Sequence, residues 1–86
     1  MTAKPLAKWL KSKSPTGYVQ WELCYTHAPV RVAHITYLRA RPHYHYSINA
    51  SGFCTWGVVG SVIRAKRIVE SELNRHLWNT PEIINA

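Results

Sequence analysis

The first segment of the chain combines apolar residues at helical spacing with a row of lysines. Leu6, Trp9 and Leu10 stand at positions i, i+3 and i+4, which share one face of a helix. The remaining face would carry the lysines Lys4, Lys8 and Lys11. The spacing predicts a short amphipathic helix over Ala3 to Lys11, packed as a lid on the rest of the protein. The Ser, Pro and Gly residues of Ser12 to Gly17 would end it.

The middle of the chain has the pattern of β-strands. From Tyr18 to His27 every second residue is apolar, as in a half-buried strand. Val30 to Arg41, His43 to Asn49 and Phe53 to Val59 continue with β-branched and aromatic residues, interrupted by proline and by an Asn-Ala-Ser-Gly turn. These segments predict three or four antiparallel strands.

The strongest helical pattern comes last. Ser61 is a good N-cap, and apolar residues follow at helical spacing as far as Trp78: Val62, Ala65, Val69, Leu73 and Leu77. We therefore expect a single two-layer α+β domain over residues 1–86, in which a short N-terminal helix and a longer C-terminal helix pack on a three- or four-stranded antiparallel sheet. The expected segments are a basic helix and linker (1–17), the sheet (18–59), the helix (61–78) and a tail (79–86).

Charge narrows the range of functions. Eleven Lys and Arg residues stand against four acids, the formal net charge is +7, and the chain contains no Asp. No carboxylate side chain lies between Glu22 and Glu70. Carboxylate-held Mg²⁺ or Ca²⁺ sites and glycosidases need clustered acids, so these classes are disfavoured. The composition favours a non-enzymatic binding protein without a cofactor.

The expected partner is acidic, because a single-sign imbalance of this size usually has a counterpart. Nucleic acid, or an acidic surface of a complex that handles nucleic acid, fits this charge. Arg31, Arg39 and Arg41 share strand parity with Tyr37, so a straight strand would group them on one face beside His43. The other candidate contacts lie on the two expected helices: Lys4, Lys8, Lys11, Arg64, Lys66, Arg67 and Arg75. The alternative is a basic surface that only keeps the protein dissolved.

The expected location of the protein follows from features that its sequence lacks. No signal-peptide core or membrane-spanning run is present, and two cysteines suit a reducing compartment as free thiols. We expect a cytoplasmic protein without a membrane partner. A core of this size leaves a homodimer open.

Two families show partial resemblance. The helix–strands–helix order is similar to a double-stranded RNA-binding domain, and Gly60-Ser61 followed by Ala65-Lys66 resembles the start of that family's second helix. Of that family's phosphate-binding lysines, only Lys66 has a counterpart here. The segment from Ser61 through Ala65-Lys66-Arg67-Ile68 to Glu72 also resembles a helix of a type I-F inhibitor among the phage-encoded anti-CRISPR proteins. This second resemblance implies a phage or mobile-element inhibitor acting in the host cytoplasm, whereas the first implies a module that binds the duplex.

Histidines supply the remaining candidates. His34-Ile35-Thr36 and His45-Tyr46-Ser47 resemble the paired motif of two-histidine phosphoesterases, which implies general acid and base roles for His34 and His45. Alternating strands rich in His, Tyr and Thr would also produce this pattern by chance. A zinc site using Cys24 and His27 is disfavoured, because these residues would point to opposite faces of a straight strand.

Overall fold

The computed structural model describes residues 6–27, 30–38, 43–50, 52–76 and 81–84. They form one six-stranded sheet and one α-helix. The sheet order is β5-β4-β3-β2-β1-β6; β1 to β5 are an antiparallel meander, and β6 pairs parallel with β1. The elements in chain order are β1 (Leu6–Lys13), β2 (Val19–Tyr25), β3 (Arg31–Leu38), β4 (His43–Ala50), β5 (Phe53–Val59), α1 (Val62–His76) and β6 (Glu82–Ile84). The protein is thus a small α+β protein with a mostly antiparallel sheet.

The expected N-terminal helix is wrong, because Leu6–Lys13 is strand β1. A helix this short is marginal in water, whereas seven residue pairs with β2 satisfy the backbone of β1 along its length. Ala7 and Trp9 face the core, while Leu6 and Leu10 of the supposed helical stripe are exposed. The helix–strands–helix order, and with it the layout shared with double-stranded RNA-binding domains, therefore does not describe this chain.

The C-terminal end also differs from the expectation. Residues 79–86 were expected to be a tail, but Glu82–Ile84 form β6, and Ile83 packs against the core. This edge strand pairs in parallel with the start of β1, where Leu6 lies opposite Glu82. Helix α1 runs to His76, and the expected last turn, including Leu77, lies outside the described residues.

One sheet face is covered by α1 and the other is not. We call these the helix face and the open face. The helix packs on β3, β4 and β5 and contributes Val69 and Leu73 to the core. The core residues contributed by the sheet are Ala7, Leu23, Val32, Ala33, Ile35, Ile48 and Ala50. Coverage of the helix face is incomplete, because Ala7 and Leu23 are buried whereas Trp21, Tyr37 and Tyr44 on the same face are partly exposed. Within the described residues, no helix is long and apolar enough to span a membrane.

A β-bulge changes which face Arg31 occupies. The register between β2 and β3 shifts at Leu23 and Cys24, so that Leu23 lies opposite Ala33 but Cys24 lies opposite Arg31. The bulge inverts the parity of Arg31 relative to the rest of β3. Arg31 consequently lies on the open face, and the expectation that it shares a face with Tyr37 is wrong.

Candidate nucleic-acid interface

Aromatic side chains of β2, β3 and β4 line a recess on the helix face. The recess has a volume of about 460 Å³. Strand register explains its composition: Lys11 lies opposite Trp21 on neighbouring strands, and Tyr37 lies opposite Tyr44. Opposed residues of antiparallel strands share a face, so these four side chains converge. We call this site the aromatic recess; its lining residues are Lys11, Gly17, Tyr18, Val19, Trp21, Tyr37 and Tyr44.

The rings of the recess pack edge to face or tilted, without closing over it. The ring centroids of Trp21 and Tyr44 are 6.0 Å apart at 69°, and those of Tyr37 and Tyr44 are 5.4 Å apart at 57°. All three side chains are partly exposed. This arrangement holds the rings in place while leaving ring surface available to a ligand.

A cation completes the recess. Lys11 is exposed, and its Nζ lies 5.9 Å from the centroid of the Trp21 ring. Lys13 is also exposed and continues the same face of β1 toward the turn. No carboxylate is among the described residues that line the recess. Glu22 lies on the other face, opposite Leu10 and His34. The recess is therefore aromatic and positively charged.

The turn that leads into β2 positions one wall of the recess. Gly17 has a φ of 90°, a left-handed conformation that residues with a side chain rarely adopt. The N–H of Gly17 donates to the carbonyl of Ser14 at 2.8 Å, and the N–H of Tyr18 donates to the Ser14 hydroxyl at 3.1 Å. This compact turn fixes where Tyr18 enters the sheet.

The basic residues predicted from the sequence do not form one cluster. Arg39, Arg41 and Lys4 lie outside the described residues. Tyr37 and Lys11 belong to the aromatic recess, whereas Arg31, His43 and Lys8 lie on the open face. Arg31 lies 4.0 Å from Glu22, and this contact is weak because both side chains are partly exposed. The basic and aromatic residues that were predicted to form one surface are thus distributed over both faces of the sheet.

The predicted basic contacts on helix α1 lie in different environments. Lys66 is partly buried, with its Nζ 5.6 Å from the centroid of the Trp9 ring, and Arg75 lies 3.7 Å from Glu72. Arg64 and Arg67 are exposed on α1. None of the four helix cations is among the residues that line the aromatic recess.

A histidine cluster forms on the open face. His34 lies opposite Ser47, and Thr36 lies opposite His45, so both His-x-Thr/Ser motifs present their polar side chains side by side. The Thr36 hydroxyl is 2.6 Å from Nε2 of His34, and the Gln20 amide oxygen is 3.3 Å from the same nitrogen. The structure therefore brings together residues that the sequence analysis placed on neighbouring strands.

Burial favours the neutral form of His34. It is the main cause that lowers the pKa of His34, followed by the positive charge of Arg31; Glu22 opposes the shift and His45 adds to it. A second recess of about 410 Å³ adjoins the cluster and includes Arg31, His34 and Ser47 in its lining. Within the described residues, no three His, Cys, Asp or Glu side chains are grouped to hold a metal ion.

Trp21, Tyr44 and Tyr18 are binding candidates that the sequence pattern does not single out. Trp21 and Tyr44 have the parity of the buried face, so alternation assigned them to the core. The missing information was which part of this face α1 covers, because alternation alone cannot separate buried Leu23 from partly exposed Trp21 and Tyr44.

Comparisons with family models, curated proteins and solved structures found no match for this chain.

Proposed function

We propose that this chain is a non-enzymatic binding protein that takes unpaired bases of a nucleic acid into the aromatic recess. The observation that carries the proposal is the convergence of Trp21, Tyr37 and Tyr44 beside Lys11, on a sheet region that α1 leaves accessible. A phage or mobile-element inhibitor in the host cytoplasm is the biological setting that we predict for such a protein.

The chemistry of the recess suits single strands. Aromatic side chains stack on exposed bases irrespective of sequence, and each stacked base contributes about 1–3 kcal/mol. Lysine supplies the attraction to phosphate that makes such binding salt-dependent. Bases inside a duplex are already stacked on their neighbours and cannot enter a recess without being unpaired. We therefore expect a preference for single strands over duplexes.

The charge of the recess argues against the other common ligand of aromatic clusters. Cages of Trp and Tyr also bind quaternary ammonium groups through cation–π attraction. Here Lys11 already approaches the Trp21 ring, and the whole chain has a net charge of +7. An organic cation would be repelled, whereas a nucleic-acid strand would be attracted.

Fluorescence anisotropy of a labelled single strand, measured against wild-type protein and Trp21→Ala, tests the proposal. Loss of one stacked base predicts a weakening of about 5- to 150-fold. Trp56→Ala is the matched control, because Trp56 is 67% exposed on the open face and should leave the affinity unchanged. Equal loss in both variants contradicts the proposal.

Two further arms of that titration separate the alternatives. Tighter binding of duplex RNA than of the single strand supports a module that acts on the duplex. No binding of any nucleic acid at low salt supports an acidic protein surface as the partner. Either result overturns the recess as a site for unpaired bases.

The histidine cluster favours a second candidate function, a two-histidine phosphoesterase. Neutral His34 would accept a proton from the attacking group, and His45 would protonate the leaving oxygen. The hydroxyls of Thr36 and Ser47 lie beside them and would donate to the phosphate oxygens. The observation that favours this candidate is the alignment of both motifs on the open face.

Release of p-nitrophenol from bis(p-nitrophenyl) phosphate, together with cleavage of a labelled RNA strand, tests this second candidate. The expected result is turnover that His34→Ala abolishes while single-strand binding is retained. His27→Ala is the control, because His27 lies in the exposed turn after β2. Wild-type protein without turnover on either substrate contradicts it.

A further inference from the structure

The outer strand β5 is an unpaired sheet edge. It pairs with β4 along seven consecutive residue pairs, from Tyr44 opposite Val59 to Ala50 opposite Phe53. No strand in the described part of the chain pairs with its other side. An edge strand presents a row of N–H and C=O groups that can pair with another strand.

The sequence of β5 carries none of the features that usually protect an edge. Phe53–Val59 contains no charged residue and no proline, and its register with β4 has no bulge. The opposite edge is different, since β6 has only three residues, begins with Glu82 and follows Pro81. Natural proteins manage long uncharged edges by covering them, which indicates that β5 is covered in the functional protein.

Exposed apolar side chains lie on the same strand. Trp56 is 67% exposed and Val58 is 46% exposed, both on the open face. The centroid of the Trp56 ring lies 5.7 Å from that of the imidazole of His45 on β4, the strand on the inner side of β5. Two β5 strands paired antiparallel would make Trp56 and Val58 of each copy cross-strand neighbours, a pairing that stabilises sheets.

The uncharged sequence of β5 favours a second copy of this chain over an acidic partner. An acidic partner would be recognised by basic residues along the edge, and β5 has none. Pairing of β5 with itself would bring the exposed apolar side chains Trp56 and Val58 of both copies together, and it adds no charged residue of β5 to the contact between two chains of net charge +7. We propose that the protein is a homodimer in which β5 pairs antiparallel with β5 of the second copy, so that one sheet runs through both.

Sedimentation velocity of the full chain, without nucleic acid, tests this assignment between 10 and 200 µM. Wild-type protein should sediment with twice the mass of 9.9 kDa. Trp56→Lys and, independently, Val58→Lys should halve the mass, because each places a charge at the centre of the paired edge. Leu10→Lys is the matched control, since Leu10 is 45% exposed on distant β1 and the variant should remain dimeric.

Circular dichroism of each variant distinguishes dissociation from unfolding. If Trp56→Lys does not fold, Val58→Lys provides the test. A monomeric wild-type protein at 200 µM overturns the proposal. So does a dimer that survives both lysine variants, because its interface would lie elsewhere, such as on the helix face.

Discussion

Gly57 on β5 leaves room for the ring of Tyr46 on β4. Its replacement by alanine should destabilise the fold. Gly57 lies opposite Tyr46, whose ring packs against the core. A Cβ atom at position 57 would lie 2.6 Å from Cζ and 2.7 Å from Cε2 of Tyr46. Carbon atoms pack at about 3.5–4.0 Å, so the tyrosine ring must move by most of an ångström. Tyr46 packs against the core, so this movement would disturb its contacts there.

The expected magnitude follows from two opposing effects. Overpacking of a core by one methyl group usually costs about 1–3 kcal/mol. Alanine also restricts the unfolded chain, which offsets about 0.4–1 kcal/mol of that loss. We expect a net loss of about 1–2 kcal/mol, a large share of the roughly 3–5 kcal/mol that a core of this size contributes. The midpoint of thermal unfolding should fall by about 4–8 °C for each kcal/mol lost.

Urea unfolding followed by circular dichroism measures this loss at equilibrium. Gly60→Ala is the matched control, because a Cβ there would have no neighbour within 4 Å. Its stability should be unchanged or slightly higher. In a Tyr46→Ala background the steric conflict is absent, so Gly57→Ala should have little further effect. A Gly57→Ala variant as stable as Gly60→Ala would contradict the packing of the Tyr46 ring over Gly57.

Three further predictions concern stability and reactivity. Ser61→Ala should lower the free energy of unfolding by about 1 kcal/mol in urea titrations, because the Ser61 hydroxyl accepts a 3.2 Å hydrogen bond from the N–H of Arg64 at the start of α1. The pKa of His34 is lowered in the folded protein, so as the pH falls below about 6.5 this histidine takes up a proton in the unfolded chain before it does so in the folded one. Stability should therefore decrease from pH 7 to pH 5, and less so in His34→Gln, as measured by unfolding across that range. Burial raises the pKa of the Cys24 thiol, so iodoacetamide at pH 8 should alkylate exposed Cys54 first, as read by mass spectrometry.

Local sequence patterns predicted those elements whose hydrophobic period matches the secondary structure that forms. The alternation of Tyr18 to His27 corresponds to β2, and the Ser61 cap with its apolar stripe corresponds to α1. The N-terminal segment was misassigned because Leu6, Trp9 and Leu10 suit a helix, whereas the pairing partner that makes it a strand is distant in sequence. Tertiary pairing outweighs propensity in a segment this short.

The candidate site was predictable only in part for the same reason. Lys11 and Tyr37 were candidate contacts, but their convergence with Trp21 depends on the register of four strands. Alternation assigns Trp21 to the buried face correctly, and it cannot show that α1 stops short of that part of the sheet. The bulge that moves Arg31 to the open face involves one extra residue, for which the sequence offers no signal.

Ultraviolet cross-linking of a bound single strand tests the central claim most directly. A thymine- or uracil-containing oligonucleotide is irradiated with the protein, and the modified residues are located by tandem mass spectrometry. The aromatic recess predicts nucleotide adducts on Trp21, Tyr37 or Tyr44. Adducts confined to Trp56 on the open face, or to helix α1, would contradict it.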